Sequence, residues 1–534
     1  MINSDISKPI YAEVNGVRYD CKERGEYSFD KVFGVSIKKS YVFQLKVNLE
    51  DFALDNIEIK FFMELGGKRI AIPLNFFRAP SKLNGKCKHS YWRFKSDSIM
   101  YYSNNSIYIS RISLKELEKR EKLYRKECIK WVRETTKDRK KRIKYVKEIE
   151  NLRNAYFQEV GKKRRIWIYF DKLFKGGDNG EYQFRHDFAI NDGVERYYII
   201  NEDSNDAKRL KEQFGDHILF FGTMKCKLYG LLAENIVATH PDIIEFVGFD
   251  KKETFIFKDL FNPNLICIAH GVTIQKNAEY QNRIFDNTMF YTTSSKYEVK
   301  HILHPIYGYD KEDVALTGMA RFDGLKNNDK KQILITPTWR RNIVGKAQRN
   351  STRQKSHSFR DTNYFKIYNR LINDKRLINA AKREGYRLIF LIHPSMSAQI
   401  DDYDKNEYVE LIAASGDMNY EKILTESSLM VTDYSGIHYD FGYMRKPVIY
   451  YQPKEIPMRF EEGGMKFDSM GFGPVCIEYE QAVKLICEYI YKGCKMPDVY
   501  KKRADDFFAY NDHNNCDRIY EAIAEWTNKK RLKS

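Results

Sequence analysis

Between about residue 10 and residue 112, apolar and polar positions alternate, as in Tyr41-Val-Phe-Gln-Leu-Lys-Val-Asn-Leu49, Ile57-Glu-Ile-Lys-Phe61 and Ser106-Ile-Tyr-Ile-Ser110. A period of two sends successive side chains to opposite faces of a strand, so this stretch predicts short, half-buried antiparallel strands and a β-sandwich-like domain over 1–112. From residue 113 the pattern changes. Gly and Pro are missing up to residue 160, charged residues crowd in, and Leu114, Leu117, Leu123, Ile129, Val132, Ile143, Val146, Ile149 and Leu152 recur at helical spacing. Two helices with a break near Thr135 and Thr136 are expected. They read as a solvated basic connector over 113–163, with Arg139-Lys-Lys-Arg142 and Lys162-Lys-Arg-Arg165 available to an anionic surface.

Beyond Ile166, short apolar runs alternate with helical segments: IWIYF, YYII, HILFF, IVAT, LICIAH and MFYTTS, then ILITPTW, LIFLIHP, LMVTDY and PVIYYQP. Buried strands separated by helices predict parallel sheets with crossover connections. The two series meet at the polar joint Asn327-Asn-Asp-Lys330. Two doubly wound lobes, 164–327 and 328–534, are therefore expected to face each other across a cleft, with functional groups on the loops that follow the strand carboxyl ends.

Composition sharpens this α/β reading. A chain of 534 residues with 43% hydrophobic side chains has ample material for two to four cored domains, which excludes global disorder. Lys and Arg number 91 against 73 Asp and Glu, and the net charge of +18 points to an anionic partner. No RRM, KH or zinc signature accompanies that charge, so nucleic acid is not the expected partner. The nine cysteines are scattered and form no CxxC pair, which argues against a disulfide framework and a zinc site and fits a reducing compartment. No run approaches the roughly 18 apolar residues of a membrane span, and the start of the chain lacks a basic stretch followed by an apolar one. A cytoplasmic location, soluble or peripheral on a membrane, is expected.

Several strand ends carry residues suited to chemistry. Ile266-Cys-Ile-Ala-His-Gly271 puts His270 just past a buried strand, where an imidazole can take a proton near neutral pH or merely cap the strand. Thr336-Pro-Thr-Trp-Arg-Arg341 ends a strand with guanidinium groups suited to phosphate, Arg340 among them. His393 precedes Pro394, which blocks further strand pairing. Met430-Val-Thr-Asp-Tyr-Ser-Gly-Ile-His438 runs through Thr432, Ser435 and Gly436 into a helix start, which is either a phosphate cradle or an ordinary N-cap. Gly176-Gly-Asp-Asn-Gly180 has neither GxGxxG spacing nor a Walker lysine. Asp440-Phe-Gly442 lacks the rest of a kinase signature, and Asp402-Tyr-Asp404 lies in a polar loop, so no metal site is expected.

In order and spacing these motifs resemble the CDP-glycerol glycerophosphotransferase family, the teichoic-acid and capsule polymerases. The resemblance is carried by Asp171 with Gly177-Asp-Asn-Gly-Glu181, His270-Gly-Val-Thr273, Leu316-Thr-Gly-Met-Ala-Arg-Phe-Asp323, Pro337-Thr-Trp-Arg340, His393-Pro394, and Thr432-Asp-Tyr-Ser-Gly436 through Asp440-Phe441 to Arg445-Lys-Pro447. It covers about 164–525. Many polymerases of the family read HGTP where this chain has His270-Gly-Val-Thr273, and Ser-Ser where it has Ser435-Gly436. The resemblance implies a GT-B pair of Rossmann-like lobes and transfer of glycerol phosphate, or a related alditol phosphate, from a CDP-linked donor to a hydroxyl of an anionic polymer or lipid-linked acceptor, with release of CMP. It implies His270 as general base, and Arg340, His393, Thr432, Ser435, Gly436 and Asp440 around the donor. Asp178, Asn179 and Glu181 fall on the acceptor side. No cofactor beyond the nucleotide donor, and no metal, is implied. The competing readings are a GT-B glycosyltransferase using a nucleotide sugar, similar to sialyltransferases, and a non-catalytic protein that binds an anionic polymer.

Overall fold

The structure is a computed structural model. It describes residues 10–32, 35–48, 51–52, 56–74, 82–95, 97–240, 247–274, 281–283, 288–346, 348, 353–413, 418–456 and 464–533. The alternating region forms β1 (Ile10–Val14), β2 (Val17–Asp20), β3 (Lys22–Val32), β4 (Val35–Gln44), β5 (Ile57–Leu65), β6 (Lys68–Ala71), β7 (Tyr91–Lys95), β8 (Ser98–Ser103) and β9 (Ser106–Arg111). Seven of these make one antiparallel sheet along the path β2-β1-β5-β9-β8-β7, with β6 beside β5, while β3 and β4 form a separate hairpin. The expected antiparallel domain is thus a single large sheet with a hairpin. The strand read at Tyr41–Leu49 ends at Gln44, and Leu49 lies outside the described residues.

The basic segment folds as α1 (Leu114–Thr135) and α2 (Arg139–Glu159), broken where the sequence predicts. Ser113 and Glu116 form a reciprocal capping box on α1, and Asp138 caps α2 by accepting from the Lys141 N–H at 2.8 Å. The two helices are not a solvated connector. Tyr124, Cys128, Val132, Tyr145, Ile149, Leu152 and Tyr156 lie in one core with Ile166, Ile168 and Phe170 of the following lobe and with Tyr91 and Ile99 of the N-terminal sheet. Leu114 and Ile143 excepted, the sparse apolar positions make a narrow stripe that packs inward, and the charged residues cover the opposite face. At its centre the fully buried Arg153 meets Glu121 at 2.6 and 2.7 Å and Asp259 at 2.7 and 3.1 Å, while the Tyr91 hydroxyl donates to Glu121 at 2.8 Å. One guanidinium therefore joins the sheet, both helices and the first lobe.

The first lobe contains β10 (Ile166–Phe170), β11 (Glu195–Ile200), β12 (Ile218–Phe220), β13 (Asn235–Ala238), β14 (Asn264–Cys267), β15 (Phe290–Thr293) and β16 (Val314–Leu316), parallel and in the order β12-β11-β10-β13-β14-β15-β16. The second contains β17 (Gln332–Ile335), β18 (Arg387–Ile392), β19 (Val409–Ala413), β20 (Ser427–Thr432), β21 (Val448–Tyr451) and β22 (Val475–Cys476), also parallel, in the order β19-β18-β17-β20-β21-β22. The strand order reverses between β10 and β13 in one sheet and between β17 and β20 in the other, and these switch points are where doubly wound folds open a crevice. The two Rossmann-like lobes of the GT-B reading are present. The chain does not stay in the second lobe to its end: Ile519, Ile523 and Trp526 of the last helix, Asn515–Lys533, pack with Trp167, Tyr169 and Phe184 of the first. Asp323 fixes that return by accepting the Asn515 and Cys516 N–H groups at 2.9 and 2.8 Å.

Removing Arg153 would strand two buried carboxylates. Arg153→Met is expected to lower the unfolding free energy by ~3–5 kcal/mol in urea titrations, and a loss under about 1 kcal/mol would show that the apolar stripe alone holds the helices.

Candidate active site

The site grows from the end of β10. All five β10 residues are buried, and the next residue, Asp171, stays buried to accept the N–H groups of Gly180 and Glu181 at 2.7 and 2.9 Å and the Tyr198 hydroxyl at 2.9 Å. Burial and the nearby Asp178 charge push the Asp171 carboxyl up, while these donors oppose the shift. The approach leaves no room at Gly180, where a Cβ would stand 2.6 Å from Asp171 Oδ1 and from the Phe170 carbonyl. Asp171 thereby sets the first turn of α3 (Asn179–Phe188).

Asp178 is the N-cap of α3, and its second oxygen meets His270 Nδ1. Burial works to raise the Asp178 carboxyl, but His270 and Arg321 overcome it and hold the group well below the usual carboxylate range. His270 follows Ala269, a non-glycine residue at φ 42°, so the backbone turns sharply out of the sheet just before the imidazole. The His270 side chain is half exposed. One face of its ring stacks on His240, with centroids 5.5 Å apart and planes 24° apart. Beyond it, the Thr273 N–H donates to the buried Glu298 at 2.7 Å, which anchors the following loop.

Arg321 ties this arrangement to the second lobe. Its Nε and Nη2 reach the two oxygens of Asp440 at 2.8 and 3.0 Å, and its Nη1 donates to the His270 carbonyl at 2.6 Å and to Asp178 at 3.2 Å. Asn179 holds the backbone beneath, accepting the Arg321 N–H at 2.8 Å and donating to the Ala269 carbonyl at 2.7 Å. Further contacts join the lobes nearby: Lys175 Nζ donates to the Met418 carbonyl at 3.0 Å, the Tyr182 hydroxyl meets Glu421, and the Gly464 N–H donates to the Ile274 carbonyl at 2.6 Å.

The second-lobe candidates divide into buried and accessible groups. The Thr432 hydroxyl donates to the Thr336 carbonyl at 2.7 Å and ties the ends of β17 and β20 together. Arg340, nearly buried, pairs with Asp433 at 2.8 Å and donates to the Thr338 carbonyl at 2.8 Å. Asp440 is fully buried against Arg321. His393 stacks on Trp339 at 5.7 Å and 21°, and its Nδ1 accepts the Ser395 N–H at 3.1 Å, so the neutral ring carries its proton on Nε2. Ser435 is half-buried and Gly436 exposed, just before the short helix His438–Tyr443.

Of the acceptor-side candidates, Asp178 touches His270, Asn179 acts as a backbone staple, and Glu181 is enclosed by Arg185 and Arg209, at 2.8 and 2.7 Å, while accepting the Gly177 N–H at 2.8 Å. Sequence reasoning assigned no part to Arg321, His240 or Glu298. Arg321 was visible inside the Leu316–Asp323 block, and His240 directly follows the IVAT strand. Asp402 and Asp404 pair with Lys355 and Arg360 at 2.7 and 3.0 Å. Among the described residues, no group of three or more His, Cys, Asp or Glu is placed to hold a metal ion.

Comparison with known proteins bears on this geometry. Residues 181–525 match the family described as CDP-Glycerol:Poly(glycerophosphate) glycerophosphotransferase. The chain is 34% identical over 523 residues to the minor teichoic acid biosynthesis protein GgaB of Bacillus subtilis (strain 168), an alignment covering 97% of this chain and 57% of that protein. It is 30% identical over 163 residues to the teichoic acid poly(glycerol phosphate) polymerase of Bacillus spizizenii, covering 30% of this chain and 36% of that one. The chain thus spans little more than half of the first relative and about a third of the second. The solved structure of the wall teichoic acid polymerase TagF shares the fold, with a TM-score of 0.50 at 16% identity over 79% of this chain and 100% of that one.

Replacing Arg321 tests the junction. In Arg321→Gln the buried Asp440 and the partly enclosed Asp178 lose their shared cation, so the unfolding free energy is expected to fall by ~3–5 kcal/mol and the radius of gyration from small-angle X-ray scattering to rise. A variant matching the parent in both would show that the other interlobe contacts suffice.

Proposed function

This chain belongs to the CDP-glycerol:poly(glycerophosphate) glycerophosphotransferase family, and we propose that it transfers glycerol phosphate, or a related alditol phosphate, from a CDP-linked donor to a hydroxyl of a teichoic-acid-like polymer. The observation that carries this reading is the engagement of His270 Nδ1 by Asp178 at the lobe junction. With Nδ1–H donated to the carboxylate, Nε2 is left as the basic nitrogen. It takes the proton of the attacking hydroxyl while that oxygen bonds to the β-phosphorus, the bond from that phosphorus to the bridging oxygen breaks, and CMP leaves with the electron pair. Asp178 stabilises the imidazolium so formed. On the second lobe, His393 Nε2–H and the backbone around Ser435 and Gly436 meet the diphosphate and the charge gathering on the leaving group. Arg340, Thr432 and Asp440 act behind them, holding the strand ends and Arg321 in place. Phosphoryl transfer asks mainly for alignment and charge neutralisation, and these groups supply both.

Purified protein assayed with CDP-glycerol, CDP-ribitol and CMP- or UDP-linked sugars separates this reading from a nucleotide-sugar glycosyltransferase. With the accepted donor, His270→Ala is expected to lower CMP release by about 10²–10⁴-fold while donor binding persists. Near-parental release from the folded variant would overturn the assignment.

The reading places the enzyme at the cytoplasmic face of a bacterial membrane as a peripheral protein. Among the described residues, no helix is long and apolar enough to cross a membrane. Support comes from the turn between α1 and α2 and the start of α2, where Lys137, Arg139, Lys140, Lys141 and Lys147 are all exposed. Each basic residue near an anionic lipid surface is worth about 1 kcal/mol. Lys140→Glu/Lys141→Glu/Lys147→Glu is therefore expected to reduce partitioning onto phosphatidylglycerol vesicles by about tenfold or more. Equal partitioning by the folded variant would remove this face from consideration.

A further inference from the structure

We infer that His240 is a positioning residue for the transfer, holding the ring plane of His270 while Asp178 fixes its Nδ1. The inference rests on the reading of His270 as general base. β13 and β14 are parallel neighbours with Ala238 opposite Cys267, and the Ile268 N–H donates to the Ala238 carbonyl at 2.9 Å. The two strands therefore leave the sheet side by side, next to the β10/β13 switch point, and the imidazoles that follow them stack at 5.5 Å and 24°. His240 is itself held from its own strand, with Nδ1 2.9 Å from the Thr239 hydroxyl. One hydrogen bond to a carboxylate leaves a ring free to swing about that contact, whereas a bond on an edge and a stacked neighbour on a face together define its plane. That plane sets where Nε2 points, and misplacement by about an ångström can cost on the order of 100-fold in rate.

The charge pattern suits the same role. The groups in contact with His270 are the Asp178 carboxylate from the α3 cap, Arg321 through the His270 carbonyl, and the His240 ring. Burial first, then the charges of His270 and Lys172, push the His240 imidazole down to about 3. His240 thus stays neutral at physiological pH, and when His270 takes a proton the cation lies against an uncharged ring.

The test compares two replacements. His240→Ala removes the ring and is expected to lower kcat by about 10–100-fold with the donor KM changed less than about twofold. His240→Phe keeps a flat ring and is expected to recover kcat to within about threefold of the parent. Parental kcat in His240→Ala, or equal damage in both variants, would overturn the inference, the second by showing that the ring nitrogens matter. Imidazole proton resonances give a readout independent of turnover: His270 should lose its ring-current shift in His240→Ala, and His240 in the parent should not titrate between about pH 5 and 8. Absence of that shift change, or titration of His240 in that range, would equally count against it. If His270→Ala remains active, the base assignment fails, while the resonance data still report whether the rings are paired.

Discussion

The guanidinium of Arg321 lies where the demands of both lobes meet. It is nearly buried, it forks onto Asp440 of the second lobe, and its remaining donors go to the carbonyl of His270 and the carboxylate of Asp178 in the first. A buried charge of this kind is tolerable only with its donors satisfied by opposite charge or oxygen, and here the acceptors come from opposite sides of the junction. Lobe position and the environment of the imidazole are therefore not independent. If the lobes part, Arg321 loses Asp440, and the balance of charge around Asp178 shifts along with the orientation of His270. Two residues on, Asp323 caps the last helix and returns it to the first lobe. Three residues of backbone, Arg321 to Asp323, thus join the His270 loop of one lobe to the other lobe and to the last helix.

This position follows from the topology. In a parallel sheet every strand delivers its carboxyl end to the same edge, and where the strand order reverses, neighbouring crossovers diverge and leave a crevice. The first sheet reverses between β10 and β13, the second between β17 and β20. Asp171 and His240 follow the first pair, Thr336 and Asp433 the second, and His270 follows the strand next to β13. The spaces that result are too tight for arbitrary side chains: Gly180 has no room for a Cβ, and Ala269 takes a left-handed conformation that few residues with a Cβ adopt. The placement of these side chains is set by local backbone chemistry at a junction that the strand order dictates.

These same facts explain what the sequence reveals. The central strands announce themselves because both faces are buried, as in Ile166–Phe170 and Ser427–Thr432, where every residue is buried. The edge strands Val314–Leu316 and Val409–Ala413 escape notice because their residues are mostly half-exposed and their apolar runs are only three residues long. Strand ends point to candidate residues, but they do not tell which polar groups are already engaged inside the protein. Thr432, Arg340 and Asp440 stand at the right ends, yet their hydroxyl, guanidinium and carboxylate bond to Thr336, Asp433 and Arg321. Conversely, Arg321 gains its importance from partners 51 to 143 positions away, a relation that no local spacing encodes. The helices α1 and α2 mislead for a related reason: composition reports the many charged residues, whereas packing is decided by the few apolar ones.

Two joins hold the molecule together, and both combine apolar packing with paired charge. The N-terminal sheet and the α1–α2 pair share a continuous apolar core with the first lobe and enclose Arg153 with two carboxylates, so separating them exposes both hydrophobic surface and unpaired charge. Such a join opens only with unfolding. The lobes also meet through contacts of both kinds: Arg321, Lys175, the Tyr182–Glu421 contact and a backbone bond at Ile274 are polar, whereas Ile274, Met319 and Phe322 share a buried core with second-lobe side chains and Phe322 stacks on Tyr443 at 4.4 Å. The N-terminal layers are continuous with the lobe that carries His270, so any surface to which they bind is held in a fixed relation to that side chain.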